Sequence, residues 1–111
     1  MVAELQVRWL KAGAPVELTT TDINLNGLFL RTEIVPNERA LMHLEIVLPG
    51  RKIRFFGVAR YAGISESGPG IGVEIHLIDQ QDRTVWEQLY RALLLRASKA
   101  LSPAAAGASI R

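Results

Sequence analysis

Hydrophobic and polar positions alternate in short segments from residue 2 to about 77, then change to a helical period from about 80 to 97. In residues 2–10, Ala3, Leu5, Val7 and Trp9 share one side of a strand. A turn punctuated by Gly13 and Pro15 leads to a second strand, 16–22, rich in β-branched residues. Asn24, Asn26 and Gly27 then mark a tight turn, because Asn and Gly tolerate the left-handed backbone. A third strand, 28–32, ends before the turn at Pro36 and Asn37. The fourth, 41–48, points Met42, Leu44, Ile46 and Leu48 inward and His43 and Glu45 outward.

The fifth strand, 52–61, sets Ile53, Phe55, Gly57, Ala59 and Tyr61 against Arg54, Phe56, Val58 and Arg60. Both faces are partly apolar, so the second is open to a covering partner. Residues 65–70 are rich in Gly, Pro and Ser and are expected to form a mobile loop. The sixth strand, 71–77, turns Ile71, Val73, Ile75 and Leu77 inward and Glu74 and His76 outward. Asp79 is a helix N-cap, and Asp82 places negative charge where the helix dipole favours it. Val85, Trp86, Leu89, Tyr90, Leu93, Leu94 and Ala97 form one apolar stripe that needs a sheet to cover it.

These elements predict an all-β fold with one helix: a six-stranded antiparallel barrel over residues 1–98, capped by a C-terminal α-helix. Residues 99–111 carry no periodic pattern and are expected as a flexible tail. The expected core packs Leu5, Val7, Trp9, Leu28, Leu30, Leu44, Ile46, Ile53, Phe55, Val73 and Ile75 against Trp86, Leu89 and Leu93.

Composition narrows the class. At 111 residues the chain suits one domain, and 49% hydrophobic with 22% charged residues excludes an intrinsically disordered chain. No apolar run approaches the ~20 residues of a membrane span, so no membrane insertion is expected. Glu4 interrupts any secretory leader at once. The lack of cysteine removes disulfides, thiolate nucleophiles and cysteine-ligated metals, and the expected setting is the cytoplasm. Net charge is only +2, carried by ten Arg and three Lys. That mix suits bidentate contacts to phosphate or carboxylate better than diffuse attraction to a polyanion.

Catalytic signals are poor. His43 and His76 sit on outward strand positions without nucleophile or metal-ligand spacing around them, and capping accounts for Asp79 and Asp82. Gly68, Gly70 and Gly72 precede a strand rather than a helix N-terminus, so they lack the geometry of a phosphate loop. The reading is a protein that is not an enzyme, with no cofactor and no metal.

The stretch around Asp22, Asn24 and Gly27, followed by the apolar Leu28-Phe29-Leu30, resembles the PilZ family signature, an Asp-x-Ser-x-x-Gly turn entering an apolar strand. Gly57-Val58-Ala59-Arg60 is similar to that family's Gly-x-Val strand. Gly70-Ile71-Gly72-Val73-Glu74-Ile75 is similar to its Gly-x-Gly-Val-x-Phe strand, with Ile75 in the aromatic position. The resemblance covers about residues 2–97 and implies the same barrel with a C-terminal helix.

It also implies cyclic di-GMP as a possible ligand, held by an Arg-x-x-x-Arg pair ahead of the barrel together with the turn. Asp22, Asn24 and Gly27 take the turn positions, with Asn24 in place of serine. The arginine pair has no counterpart: before Asp22 the basic residues are Arg8 and Lys11, and positions 4 and 12 are Glu and Ala. A lost charge-assisted contact costs roughly 1.5–3 kcal/mol, so two missing forks weaken a micromolar site by about two to four orders of magnitude. Weak or absent cyclic di-GMP binding is therefore expected, with Arg8, Asp22, Asn24 and Gly27 as the residues of any such site.

The resulting expectation is a regulatory or adaptor module of bacterial motility, pilus or surface behaviour that acts on a protein partner. Arg54, Phe56, Val58 and Arg60 form the candidate partner surface, since aromatics and arginine concentrate at interface hot spots. Two alternatives stand beside it: a working cyclic di-GMP receptor using the turn at 22–27, and a small-barrel nucleic-acid binder tracking a backbone along residues 51–60. The low net charge weighs against the second.

Overall fold

The computed structural model describes residues 1–34, 36–37, 39–66 and 68–110, with side chains described through Lys99. Six strands run in the order β1 (Gln6–Trp9), β2 (Val16–Asn24), β3 (Gly27–Arg31), β4 (Leu41–Leu48), β5 (Arg51–Ser65) and β6 (Gly68–Ile78), followed by α1 (Gln80–Ile110). Every pairing is antiparallel, and the sheet closes on itself as β1-β2-β3-β6-β5-β4. Closure removes the free strand edges that an open sheet would expose. The expected fold, an antiparallel six-stranded barrel with one helix, is the fold observed.

The inward positions form one core. Leu30, Met42, Leu44, Ile46, Ile53 and Trp86 are fully buried, and Leu5, Ile75, Leu89 and Leu93 pack against them. The helix is started by Asp79, whose carboxylate accepts from the Gln81 N–H at 3.1 Å. Its Trp86 reaches the barrel and donates from Nε1 to the carbonyl of Leu25 at 2.9 Å.

Bulges change the parity of two expected inward residues. Arg60 is the extra residue between the pairs Ala59↔Val73 and Tyr61↔Gly72, so Tyr61 turns outward and is 60% exposed. His76 is the extra residue opposite Phe56 and Gly57, so Leu77 turns outward while Ile78 packs on the core. A third bulge, at Thr21, buries two successive threonines, Thr20 and Thr21. Thr20 Oγ1 accepts from Leu5 N–H at 2.8 Å and donates to the Ala3 carbonyl at 2.7 Å, tying the N-terminal segment to β2.

Three further expectations are corrected. The loop expected over 65–70 is a short reversal, because β5 runs to Ser65 and β6 starts at Gly68, whose φ of 116° only glycine adopts readily; Ser67 lies outside the described residues. Glu45, expected outward into solvent, is 3% exposed, because cations from neighbouring strands close over it. The helix continues to Ile110, where a tail was expected over 99–111. Arg111 lies outside the described residues.

Candidate functional site

The β2–β3 turn is a two-residue connection, Leu25-Asn26, between the paired Asn24 and Gly27. Asn24 Oδ1 accepts from Asn26 N–H at 2.9 Å, an Asx turn, which spends the side chain locally. Neither Asn24, Asn26 nor Gly27 has a left-handed backbone, contrary to the conformation expected for them. Gly27 is required for a different reason: a Cβ there would stand 2.5 Å from the Val73 carbonyl oxygen of β6. The turn is also fastened to the helix. Arg83 Nη2 donates to Asn26 Oδ1 at 3.2 Å, beside the Trp86 bond to Leu25.

An open cleft of about 320 Å³ lies against this turn. It brings together Asp22, Asn24 and Gly27 with Arg60, Tyr61 and Glu74. Asp22 and Tyr61 each follow a bulge, and both bulges turn these side chains toward the cleft. Phe29 and Tyr61 form a tilted pair with centroids 6.2 Å apart. Their rings lie where Cβ atoms at Gly70 and Gly72 would stand, so the glycines of 70–73 make room for the aromatic floor.

Among the described residues the cleft has no surplus of positive charge. Arg60 Nη2 is bound to Glu74 Oε1 at 2.6 Å, and the Met1 ammonium donates to the Ile23 carbonyl at 3.0 Å. The carboxylates of Asp22 and Glu74 balance these two cations. Arg8 is absent from the cleft. It lies on the outer face of β1 between β2 and β4, with Nε bound to Glu17 at 2.9 Å and Nη1 at 3.9 Å from Glu45. The hydrogen bond and charge of Glu17 raise the Arg8 pKa, and the hydrogen bond from Arg8 holds the Glu17 carboxyl below its ordinary value. Of the four residues expected at a nucleotide site, the structure assembles three and places Arg8 elsewhere. Tyr61, Phe29 and Glu74 were missed as cleft residues; the glycines at 70 and 72 were the trace of the rings that cover them.

The expected partner surface is divided. Arg60 belongs to the cleft. Arg54, Phe56 and Val58 lie on the outer face of β5. Phe56 is 37% exposed and stacks on His43 at 4.5 Å, with Leu77 opposite it on β6 and 58% exposed. Leu41, also 58% exposed, lies opposite Val58. Arg54 Nε binds Glu45 at 2.6 Å. Glu45, expected on the outward face, is the buried centre of a cluster with Arg8, Lys52 and Arg54.

Among the described residues no group of acidic, His or Cys side chains could hold a metal ion, and no helix is long and apolar enough to cross a membrane.

No family model and no curated protein matches the sequence. Solved structures do. The Bacillus subtilis inhibitor of motility MotI/DgrA superposes with a TM-score of 0.74 at 17% identity, over 86% of this chain and 49% of that one. K. pneumonia MrkH in its apo state gives 0.68 at 17% identity, over 88% of this chain and 50% of that one. The PilZ domain of CeSA from a cellulose-synthesizing bacterium gives 0.61 at 18% identity, over 84% of this chain and 95% of that one. The chain thus spans about half the length of MotI/DgrA and MrkH and nearly all of the CeSA domain. Its fold is PilZ-like.

Proposed function

We propose that this chain is a non-catalytic regulatory or adaptor module of bacterial signalling in the cytoplasm, in a system of motility, pili or surface behaviour. It acts by protein–protein contact and binds cyclic di-GMP weakly or not at all. The fold it shares with an inhibitor of motility supports the setting. The observation that carries the ligand reading is the charge balance of the cleft: among the described residues its one arginine, Arg60, is paired with Glu74, and Arg8 is held by Glu17 on another face. Among the described residues, a ligand with two phosphates meets no unpaired guanidinium fork there.

The alternative, a working receptor, draws on the Asp22 carboxylate beside the exposed Tyr61 ring, an acceptor and a stacking surface in one cleft. Isothermal titration of the chain with cyclic di-GMP decides between them. No saturable binding, or a dissociation constant weaker than about 100 μM, is expected. A low-micromolar constant that disappears in Asp22→Ala establishes the receptor instead.

A further inference from the structure

The outer surface of β4, β5 and β6 holds two depressions that share Arg54 and Asp82. The first, about 360 Å³, is walled by Phe56, Leu77 and Ile78 with His43 at its rim. Leu41 and Val58 continue the apolar strip beyond it. The second is bounded by Arg51, Lys52 and Arg54. Leu41 and Leu77 are each 58% exposed beside Phe56, which is 37% exposed and stacked on His43, and exposed apolar patches mark interaction sites.

The charges beside the strip are unevenly placed. Four cations, Arg8, Arg51, Lys52 and Arg54, share Glu17, Glu45 and Asp82, while a fourth carboxylate, Asp79, lines the first depression and not the second. Glu45 is taken most closely by Arg54, while Lys52 reaches it only at 4.0 Å and Arg51 reaches Asp82 only at 3.8 Å. The side chains of Arg51 and Lys52 are 49% and 43% exposed. A buried carboxylate under this cluster fixes the position of the cations without consuming all their charge.

We infer that this face docks a peptide segment of a partner protein that carries apolar anchors followed by acidic residues. The anchors fill the Phe56–Leu77 depression, and the carboxylates meet Arg51 and Lys52 beyond Arg54. Apolar contact supplies affinity, and the basic end sets the direction in which the segment lies. The inference rests on the proposed adaptor role and adds the chemistry of the partner.

The test uses the full chain as bait for a displayed library of random twelve-residue peptides, with Phe56→Glu as the counter-selected bait. The selected peptide, synthesised and labelled, is titrated by fluorescence polarisation. Selected sequences should pair aromatic or aliphatic residues with Asp and Glu on one side. Binding should fall at least about tenfold in Phe56→Glu and in the double variant Arg51→Ala/Lys52→Ala, and several-fold between about 0.05 and 0.5 M salt. Leu77→Ser, also on the outer surface, should reproduce the loss with an unchanged circular-dichroism spectrum if Phe56→Glu proves unstable. The inference is overturned if nothing is enriched, if basic or purely apolar peptides are enriched, or if the variants bind as well as wild type. It is also overturned if Phe56 instead mediates a dimer in sedimentation or a shift of single-stranded DNA in gels, which gives the face to a second copy or to nucleic acid. Phe56 is not in the cleft, so failure here leaves the nucleotide titration standing, and the reverse also holds.

Discussion

The cleft beside the β2–β3 turn and the outer face of β4–β6 differ in what their side chains are already doing. At the cleft four polar side chains have an internal partner: Asn24 closes its own turn, Asn26 accepts from Arg83, and Arg60 is bound to Glu74. Gly27 and Gly72 are there because carbonyl and ring atoms leave no room for Cβ. On the outer face, Leu77 and Leu41 are each 58% exposed beside the partly covered Phe56. The turn motif thus marks a region whose residues the fold largely uses, whereas Phe56, Leu77 and Leu41 lie outside the three quoted motifs.

The strongest way to break this contrast is to remove what fastens the turn. Trp86 is fully buried and bonded to Leu25, so Trp86→Ala should cost roughly 3–5 kcal/mol in urea unfolding. In the molecules that remain folded, amide shifts should move at 24–27 and stay in place at Phe56 and Leu77. Movement at both regions shows that they act as one unit.

Gly27→Ala tests whether the motif glycine serves the fold. Its Cβ meets a backbone oxygen that cannot rotate away, so overpacking should cost about 1–3 kcal/mol without altering peptide capture by Phe56. An unchanged melting temperature removes the structural account of that residue.

The smallest effect belongs to the Arg8–Glu17 pair, which is exposed to solvent and only slightly stabilising. Glu17 is held below its ordinary pKa when folded, so its contribution is present above that value and lost as pH falls through the lowered one. Glu17→Gln should therefore melt slightly below wild type at neutral pH and together with it in acid. A gap that persists in acid shows that the residue acts through something other than its charge.

Strand existence and the core were legible because inward residues such as Leu44, Ile46 and Ile53 alternate cleanly. Tyr61 and Leu77 were misplaced for one reason. A bulge inserts a single residue, and alternation carries no mark of it until the partner strand is known. Glu45 was misread because its cations come from β1 and β5 and meet only when the barrel closes. Of the candidate site, Asp22, Asn24 and Gly27 were found from their order along the chain. Arg60, expected with the partner surface, is the extra residue of a bulge and lines the cleft bound to Glu74.

The pairing of β3 with β6 has a consequence in time. One edge of β3 meets β2 as soon as both leave the ribosome, but its other edge waits for Gly68–Ile78. At about 5–20 residues per second, roughly 40 residues of further synthesis leave Leu28-Phe29-Leu30 with an unpaired edge for about 2–8 s. During that interval the nascent chain presents an apolar strand to its neighbours on the polysome, and Arg31 at the end of that strand is the one charge that discourages them from adding to it.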